Sequence, residues 1–222
     1  MTDKRDDSDY FVTMADRTEA GNDGFAAAAD AAGLQALISR AAGAGKGLPP
    51  VDRWDPPFCG DLDMEIKADG TWFYLGTPIG RAALVRLFST VLRKDEDGAT
   101  YLVTPVEKVR IRVEDAPFVA VEMNASGEGS ERVLTFRTNV GDVVEAGPDH
   151  ALRFVDENET GGLKPYLHVR GRLEALVSRP VMYELVEIAE TIDIDGEPMF
   201  AVRSKGEIFP IMPAAKLERL SA

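Results

Sequence analysis

From Leu48 onward the apolar positions fall into two periods. In "DMEIKADGTWFYLG", residues 63–76, they alternate on either side of Asp69-Gly70, which predicts a β-hairpin. In "TPIGRAALVRLFSTVL", residues 77–92, Leu84, Leu87, Phe88, Val91 and Leu92 recur at three- and four-residue steps, the stripe of an amphipathic helix that Asp97-Gly98 ends. "ATYLVTPVEKVRIRVE" returns to period two and predicts two strands joined near Thr104-Pro105. Four more strands follow in "FVAVEM", "RVLTFRT", "DVVEA" and "ALRFV", separated by Gly, Asn, Asp and Pro. After the polar loop "ENETGGLKP", "YLHVRGRLEALV" reads as one long strand with an irregularity at Gly171. "SRPVMYELVEIAETI" is a second helix, with Pro180 suited to its first turn and Met182, Leu185, Val186 and Ala189 on one face. "DGEPMFAVRSKGEIFPI" gives a closing strand pair, and "AAKLERLSA" a short terminal helix.

Two flanking stretches break this pattern. Residues 1–47 are dominated by Asp, Ala and Gly and read as a flexible arm, with one weak helix over "FAAAADAAGLQALISRAAG". The "AAGAGKG" within it fails as a phosphate loop, because Arg40 and Gly47 stand where the pattern needs Gly and Ser or Thr, so it reads as a linker. "LPPVDRWDPPFCG" is an extended, proline-rich segment whose Trp54 and Phe58 are expected to bury against the core.

Shifting the chain by 98 residues aligns the two helical regions without a gap. Leu75 meets Leu173, Gly80 meets Ser178, Arg81 meets Arg179, Leu87 meets Leu185, and Asp97-Gly98 meets Asp195-Gly196. The repeated unit is strand, helix, Asp-Gly turn, strand pair. The expected fold is therefore α+β: two related domains from a duplicated strand–helix–strand-pair unit, over residues 48–115 and 116–213, with a cleft between them and a tail at 214–222. Gly80 and Ser178 read as N-caps, each followed by an arginine. A cation there opposes the helix dipole at a cost of about 0.3–1 kcal/mol.

Composition limits the partners. The net charge is −13, which argues against duplex nucleic acid and against an anionic membrane surface. Residues 116–213 hold 17 acids against 9 bases, so local basic spots fit but a basic face does not. No apolar run is long enough to span a bilayer, and the opening "MTDKRDDSDY" lacks the apolar core of a secretory signal, which together predict a cytoplasmic protein. The single cysteine, Cys59, reads as a buried apolar thiol, and with only two histidines a His-rich metal site is excluded by count. "DEDG" and "DIDG" are too short for calcium loops and read as turns. Nothing implies a cofactor, and no Ser-centred elbow, zinc-protease helix or dinucleotide glycine fingerprint is present.

The segments "PPFCGDLDMEI", "DGTWFYLGTPIGR", "LVTPVEKV", "FRTN" and "PYLHVRGRLEALVSR" resemble a bacterial family known as domain of unknown function 1285. The resemblance spans residues 48–213 and leaves out the arm. It implies a duplicated α+β core, a C-terminal half like a pleckstrin-homology barrel, a ligand site between the halves with a nucleotide among the candidates, and a role in signalling. It supplies no reaction.

The candidate ligand contacts are Arg81, Asn139, Tyr166, Arg170 and Arg179. Arg81 and Arg179 add a planar fork to the free N–H groups of a helix start, a combination that suits phosphate or carboxylate. The competing reading turns each arginine back onto an internal carboxylate. Alternation puts Tyr166, His168, Arg170 and Arg172 on one strand face, which suits a ring beside a phosphate and equally a solvated face. His168 alone reads as a structural, hydrogen-bonded histidine. Asn139 ends the "RTN" strand and either donates into a cleft or shapes a turn. Glu107 and Lys108 are expected to point outward from an edge strand. The leading function is a regulatory protein that binds a small anionic ligand. An enzyme acting on a phosphorylated small molecule and a protein-interaction module are the alternatives.

Overall fold

The computed structural model describes residues 48–157 and 162–221. The expected arm over 1–47 and its helix lie outside the described residues, as do residues 158–161 of the polar loop.

The N-terminal half begins with a short 3-10 turn, Val51–Arg53. It then builds β1 (Phe58–Ile66), β2 (Trp72–Tyr74), β3 (Thr77–Pro78), α1 (Ala82–Thr90), β4 (Leu92–Lys94), β5 (Thr100–Val103) and β6 (Lys108–Val113). These strands form one sheet in the order β3-β2-β1-β6-β5-β4, antiparallel throughout except for the β1–β6 pair. The alternation about Asp69-Gly70 becomes the β1–β2 hairpin, with Ile66 opposite Trp72. Trp72 is 1% exposed and stacks on Phe88 of α1, ring centroids 6.3 Å apart. Met64, Ile66, Leu92 and Leu102 complete this core.

The C-terminal half carries β7 (Phe118–Ser126), β8 (Val133–Thr138), β9 (Val143–Glu145), β10 (Leu152–Glu157), β11 (Gly162–Arg170), β12 (Leu173–Val177), α2 (Arg179–Glu187), β13 (Glu190–Ile194), β14 (Glu197–Ser204), β15 (Glu207–Pro213) and α3 (Ala214–Ser221). Six strands pair in the order β10-β11-β12-β7-β8-β9, and β13-β14-β15 form a separate sheet. The small sheet lies against the large one through β15 on β10 and β14 on β8, giving a half-barrel. The buried Ser204 hydroxyl joins them: it accepts from the Leu134 N–H at 2.9 Å and donates to the Ala146 carbonyl at 2.7 Å. The β13–β14 and β14–β15 turns put positive φ at Asp195-Gly196 and Lys205-Gly206, the paired left-handed geometry of tight hairpins.

The two halves are related, sheet-rich domains, and the element order repeats at the expected offset. α1, β4, β5 and β6 recur as α2, β13, β14 and β15. The sheets close differently. β6 returns parallel to β1 and keeps the first half in one sheet. β12 instead pairs parallel with β7, which leaves β13–β15 to form their own sheet.

Several local expectations are corrected. α1 stops at Thr90; Leu92 already belongs to β4, and Asp97-Gly98 turns β4 into β5. Its N-cap is Arg81, not Gly80, with Arg81 in an extended backbone conformation. In α2 the buried face is Val181 and Leu185, while Val186 is exposed. The stretch 166–177 is not one strand: Gly171, at φ +53°, reverses the chain and makes β11 and β12 an antiparallel hairpin. Arg172 therefore sits in a turn instead of sharing a strand face with Arg170. Cys59 is exposed, and Phe58, 54% exposed, rests only edge-on against Tyr101. Trp54 is half-buried. β6 lies between β1 and β5, so Lys108 is on an interior strand and not an edge.

Trp72→Ala is expected to lower stability by about 3–5 kcal/mol, the usual loss for a fully buried aromatic. Arg81→Ala and Arg179→Ala remove exposed side chains without a hydrogen bond or ion pair among the described residues, and should each change it by no more than about 0.5 kcal/mol. Urea unfolding of the three variants checks both statements.

Candidate functional site

A groove runs along the seam between the halves. Its walls are the edge strand β4 with the β4–β5 turn on one side and the β11–β12 turn on the other, with the Val51–Arg53 turn at one end. Three adjoining hollows share Lys94 and Arg172. The widest, about 810 Å³, is lined by Asp52, Arg93, Asp95, Glu96, Asp97 and Gly171 besides those two. A smaller one of about 180 Å³ adds Arg170 and an apolar floor that includes Val51, Leu92 and Leu173. A third of about 290 Å³ is lined by Asp115, Arg153, Tyr166 and Glu174.

The charges in the groove divide into engaged and available. Arg93 donates to both Asp95 oxygens and, through Nη1, to the Val51 and Trp54 carbonyls at 2.8 and 2.7 Å. Lys108 reaches the other side of Asp95 at 2.8 Å and lies over the Tyr101 ring. Burial pushes the Asp95 carboxyl up, but the Arg93 and Lys108 hydrogen bonds outweigh it and hold the group below the usual carboxylate range. Asp97 is likewise held low, first by the Tyr101 hydroxyl and then by the Ala99 N–H. Arg170 is held on two sides. Nη1 donates to Asp142 at 2.5 Å, Nη2 donates to the Ser89 carbonyl in the last turn of α1 at 2.7 Å, and the guanidinium lies 4.8 Å from the Phe118 ring centroid. Lys94 is half-buried, and its side chain has no hydrogen bond or ion pair among the described residues. Arg172 pairs with Glu96 in an exposed contact, 56% and 86% open at the side chains, which holds it weakly. Lys94 and Arg172 are the groove's available cations.

At the far end, the Tyr166 hydroxyl donates to Asp115 at 2.7 Å, and the Arg153 guanidinium lies 4.2 Å above the Tyr166 ring while gripping both oxygens of Glu174. Burial, reinforced by the Asp115 carboxylate, pushes the Tyr166 phenol up to about 12. Lys164 bridges Glu157 and Asp115. This end is a closed polar network.

The five residues singled out in the sequence scatter. Tyr166 and Arg170 line the groove as parts of its frame. Asn139 is a clasp between the halves: its side-chain oxygen accepts from the Val119 N–H at 3.0 Å and its amide donates to the Gly70 carbonyl at 3.3 Å. A Cβ at Gly70 would stand 2.5 Å from that amide nitrogen, which fixes glycine in the β1–β2 turn beyond its φ of +82°. Arg81 and Arg179 are exposed at their helix starts, and neither is among the residues lining the three hollows. The reading in which each turns back onto an internal carboxylate does not hold among the described residues. Sequence reasoning missed Lys94, because "LRKDEDG" reads as the charged end of a helix until β4 is seen as an edge strand. Among the described residues no group of three His, Cys, Asp or Glu is placed to hold a metal, and no helix is long and apolar enough to cross a membrane.

The model for "Domain of unknown function (DUF1285), N-terminal domain" matches residues 49–116, and that for "Protein of unknown function (DUF1285), C-terminal domain" matches 117–211. The chain belongs to the DUF1285 family. A crystal structure of a DUF1285 family protein from Silicibacter pomeroyi DSS-3 is 49% identical, covers 82% of this chain and 98% of its own, and superposes with a TM-score of 0.76. A DUF1285 family protein from Shewanella baltica OS155 is 29% identical over 57% of this chain and 91% of its own, with a TM-score of 0.45. No curated protein matches the chain. In DUF1285 terms the groove lies where the N- and C-terminal family domains meet.

Two outcomes test this frame. Arg170→Met should destabilise the protein by about 1.5–3 kcal/mol, the scale of hydrogen bonds to a charged group, because it leaves the Asp142 carboxylate without its donor and removes the tie to the Ser89 carbonyl. Thermal melts measure the loss. Tyr166 should ionise near pH 12 in the folded protein, followed by phenolate absorbance, and Asp115→Asn should lower that midpoint. The folded state keeps a proton that the unfolded chain gives up near the ordinary tyrosine value of about 10. The stabilising contribution of Tyr166 is therefore present below that value and is lost as pH rises toward 12.

Proposed function

We propose that the groove between the two halves binds a small anionic ligand, with phosphate-bearing and nucleotide-like molecules as candidates, and that the protein acts as a regulatory binding protein. The observation that carries this reading is local charge. In a chain of net charge −13, the inner hollow gathers Arg93, Lys94, Arg170 and Arg172 against the single acid Asp52. Arg93 and Arg170 are held by the fold against Asp95 and Asp142. Lys94 and Arg172 are the two cations with donors to give, one from each half. An anion bridging them takes a point-charge contact from the lysine and a planar fork from the arginine. The apolar floor at Val51, Leu92 and Leu173 lowers the local dielectric and strengthens both contacts. A ligand that touches both halves at once also supplies a means of regulation, because its binding energy depends on how the halves are set against each other.

The test is calorimetric titration of the full chain with sulfate, pyrophosphate and nucleoside phosphates. Lys94→Ala and Arg172→Ala should each weaken binding by about 1.5–3 kcal/mol, the scale of one charged hydrogen bond, with melting temperature nearly unchanged. Arg81→Ala should leave binding as it is. Binding that survives both groove variants, or no binding of any of these anions, overturns the reading.

A further inference from the structure

The chain's two histidines, His150 just before β10 and His168 near the end of β11, come together, rings stacked at 5.6 Å between centroids and 25° apart. His150 donates from Nδ1 to the His168 carbonyl at 3.2 Å. The half-buried His168 ring is held at both nitrogens: Nδ1 is 2.9 Å from the Asp149 carbonyl and Nε2 is 2.7 Å from the Gly171 carbonyl. A carbonyl oxygen only accepts. A neutral imidazole carries one N–H and one bare lone pair, whereas the protonated ring carries two N–H groups. The neutral ring thus satisfies one carbonyl and sets a lone pair against the other at hydrogen-bonding distance. Only the protonated ring donates to both.

The Gly171 carbonyl belongs to the peptide bond leading into Arg172. That peptide forms the reversal between β11 and β12, and both residues line the groove. We propose that His168 is a proton-operated clasp on this turn: protonated, it fixes the Gly171–Arg172 peptide and presents Arg172 to the groove; neutral, it releases the peptide and loosens that presentation. The clasp stands on its own geometry, and its effect on ligand binding rests on the anion reading given above.

Several charged groups face the ring from the elements around it. From β12 comes Glu174, the register partner of His168, whose carboxylate is taken by Arg153 of β10. The turn before β10 contributes Asp149 and His150. Asp52 of the Val51–Arg53 turn has an oxygen 3.7 Å from where a Cβ at Gly171 would stand. On β11 itself, Tyr166 is held by Asp115 and Arg170 by Asp142. None of these carboxylates hydrogen-bonds the His168 ring among the described residues, so the ring's state is expressed through the two carbonyls.

Nitrogen NMR of the full chain between about pH 5 and 8, the range over which histidine changes charge, reads the clasp directly. The expected result is a His168 ring with both nitrogens protonated at the acid end, and backbone amides of Gly171 and Arg172 that shift with the same midpoint. His168→Gln should abolish the amide response and His150→Gln should keep it. A His168 ring with a bare nitrogen at pH 5, or amides that stay still while the ring titrates, overturns the clasp in the wild-type protein alone, whatever the variants do. Sulfate then reads the consequence, since it stays a dianion over this range. Its affinity should be about tenfold higher at the acid end, the scale of one charged hydrogen bond. Equal affinity at both ends overturns the link to the groove. No sulfate binding at either end overturns the anion reading, and the amide titration still decides the clasp.

Discussion

Arg170 puts one guanidinium against three partners that no single half of the molecule contains. Asp142 and Phe118 belong to the C-terminal half, and the Ser89 carbonyl belongs to the last turn of α1 in the N-terminal half. That carbonyl lies in the last turn of the helix, where the helix dipole favours a cation. Asn139 adds a second tie, from the end of β8 to the carbonyl of Gly70 in the β1–β2 turn. With these two in place, β4 and the β11–β12 turn face each other at a fixed separation, and the groove is their gap. Arg170 is part of this frame, and the proposed anion site draws instead on its neighbours Lys94 and Arg172.

Much of the framework was legible because it rests on local chemistry. Period-two alternation and the Asp69-Gly70 pair located the β1–β2 hairpin, and the stripe ending in Phe88 located α1 and its packing against Trp72. The repeat was visible because both halves keep an arginine at the helix start and an Asp-Gly turn at the same distance beyond it. The errors share one cause: each needed a nonlocal partner. Leu92 continues the apolar period of α1, yet it leaves the helix because β5 offers it a strand partner in Leu102. Gly171 looks like a bulge within a strand until Tyr166 is seen opposite Leu176. Cys59 and Phe58 read as buried from their type alone, but the start of β1 pairs only with β6 and stays open to solvent.

The site was less legible than the fold for the same reason. Arg81 and Arg179 stood out because they violate a local rule, and both prove to be exposed. Lys94 and Arg172 violate nothing locally. They matter because an edge strand of one half and a hairpin turn of the other bring two cations together in an acidic protein. The same turn is where His168 closes on the Gly171 carbonyl, so the geometry of the groove and the protonation of one ring meet at a single peptide bond.

The central claim, that the seam between the halves is an anion site served by one cation from each, is tested most directly by crystals soaked in selenate and measured at the selenium absorption edge. The account predicts an anomalous peak within hydrogen-bonding reach of both the Lys94 Nζ and the Arg172 guanidinium. Peaks confined to exposed arginines such as Arg81 and Arg179, with none in the groove, would contradict it.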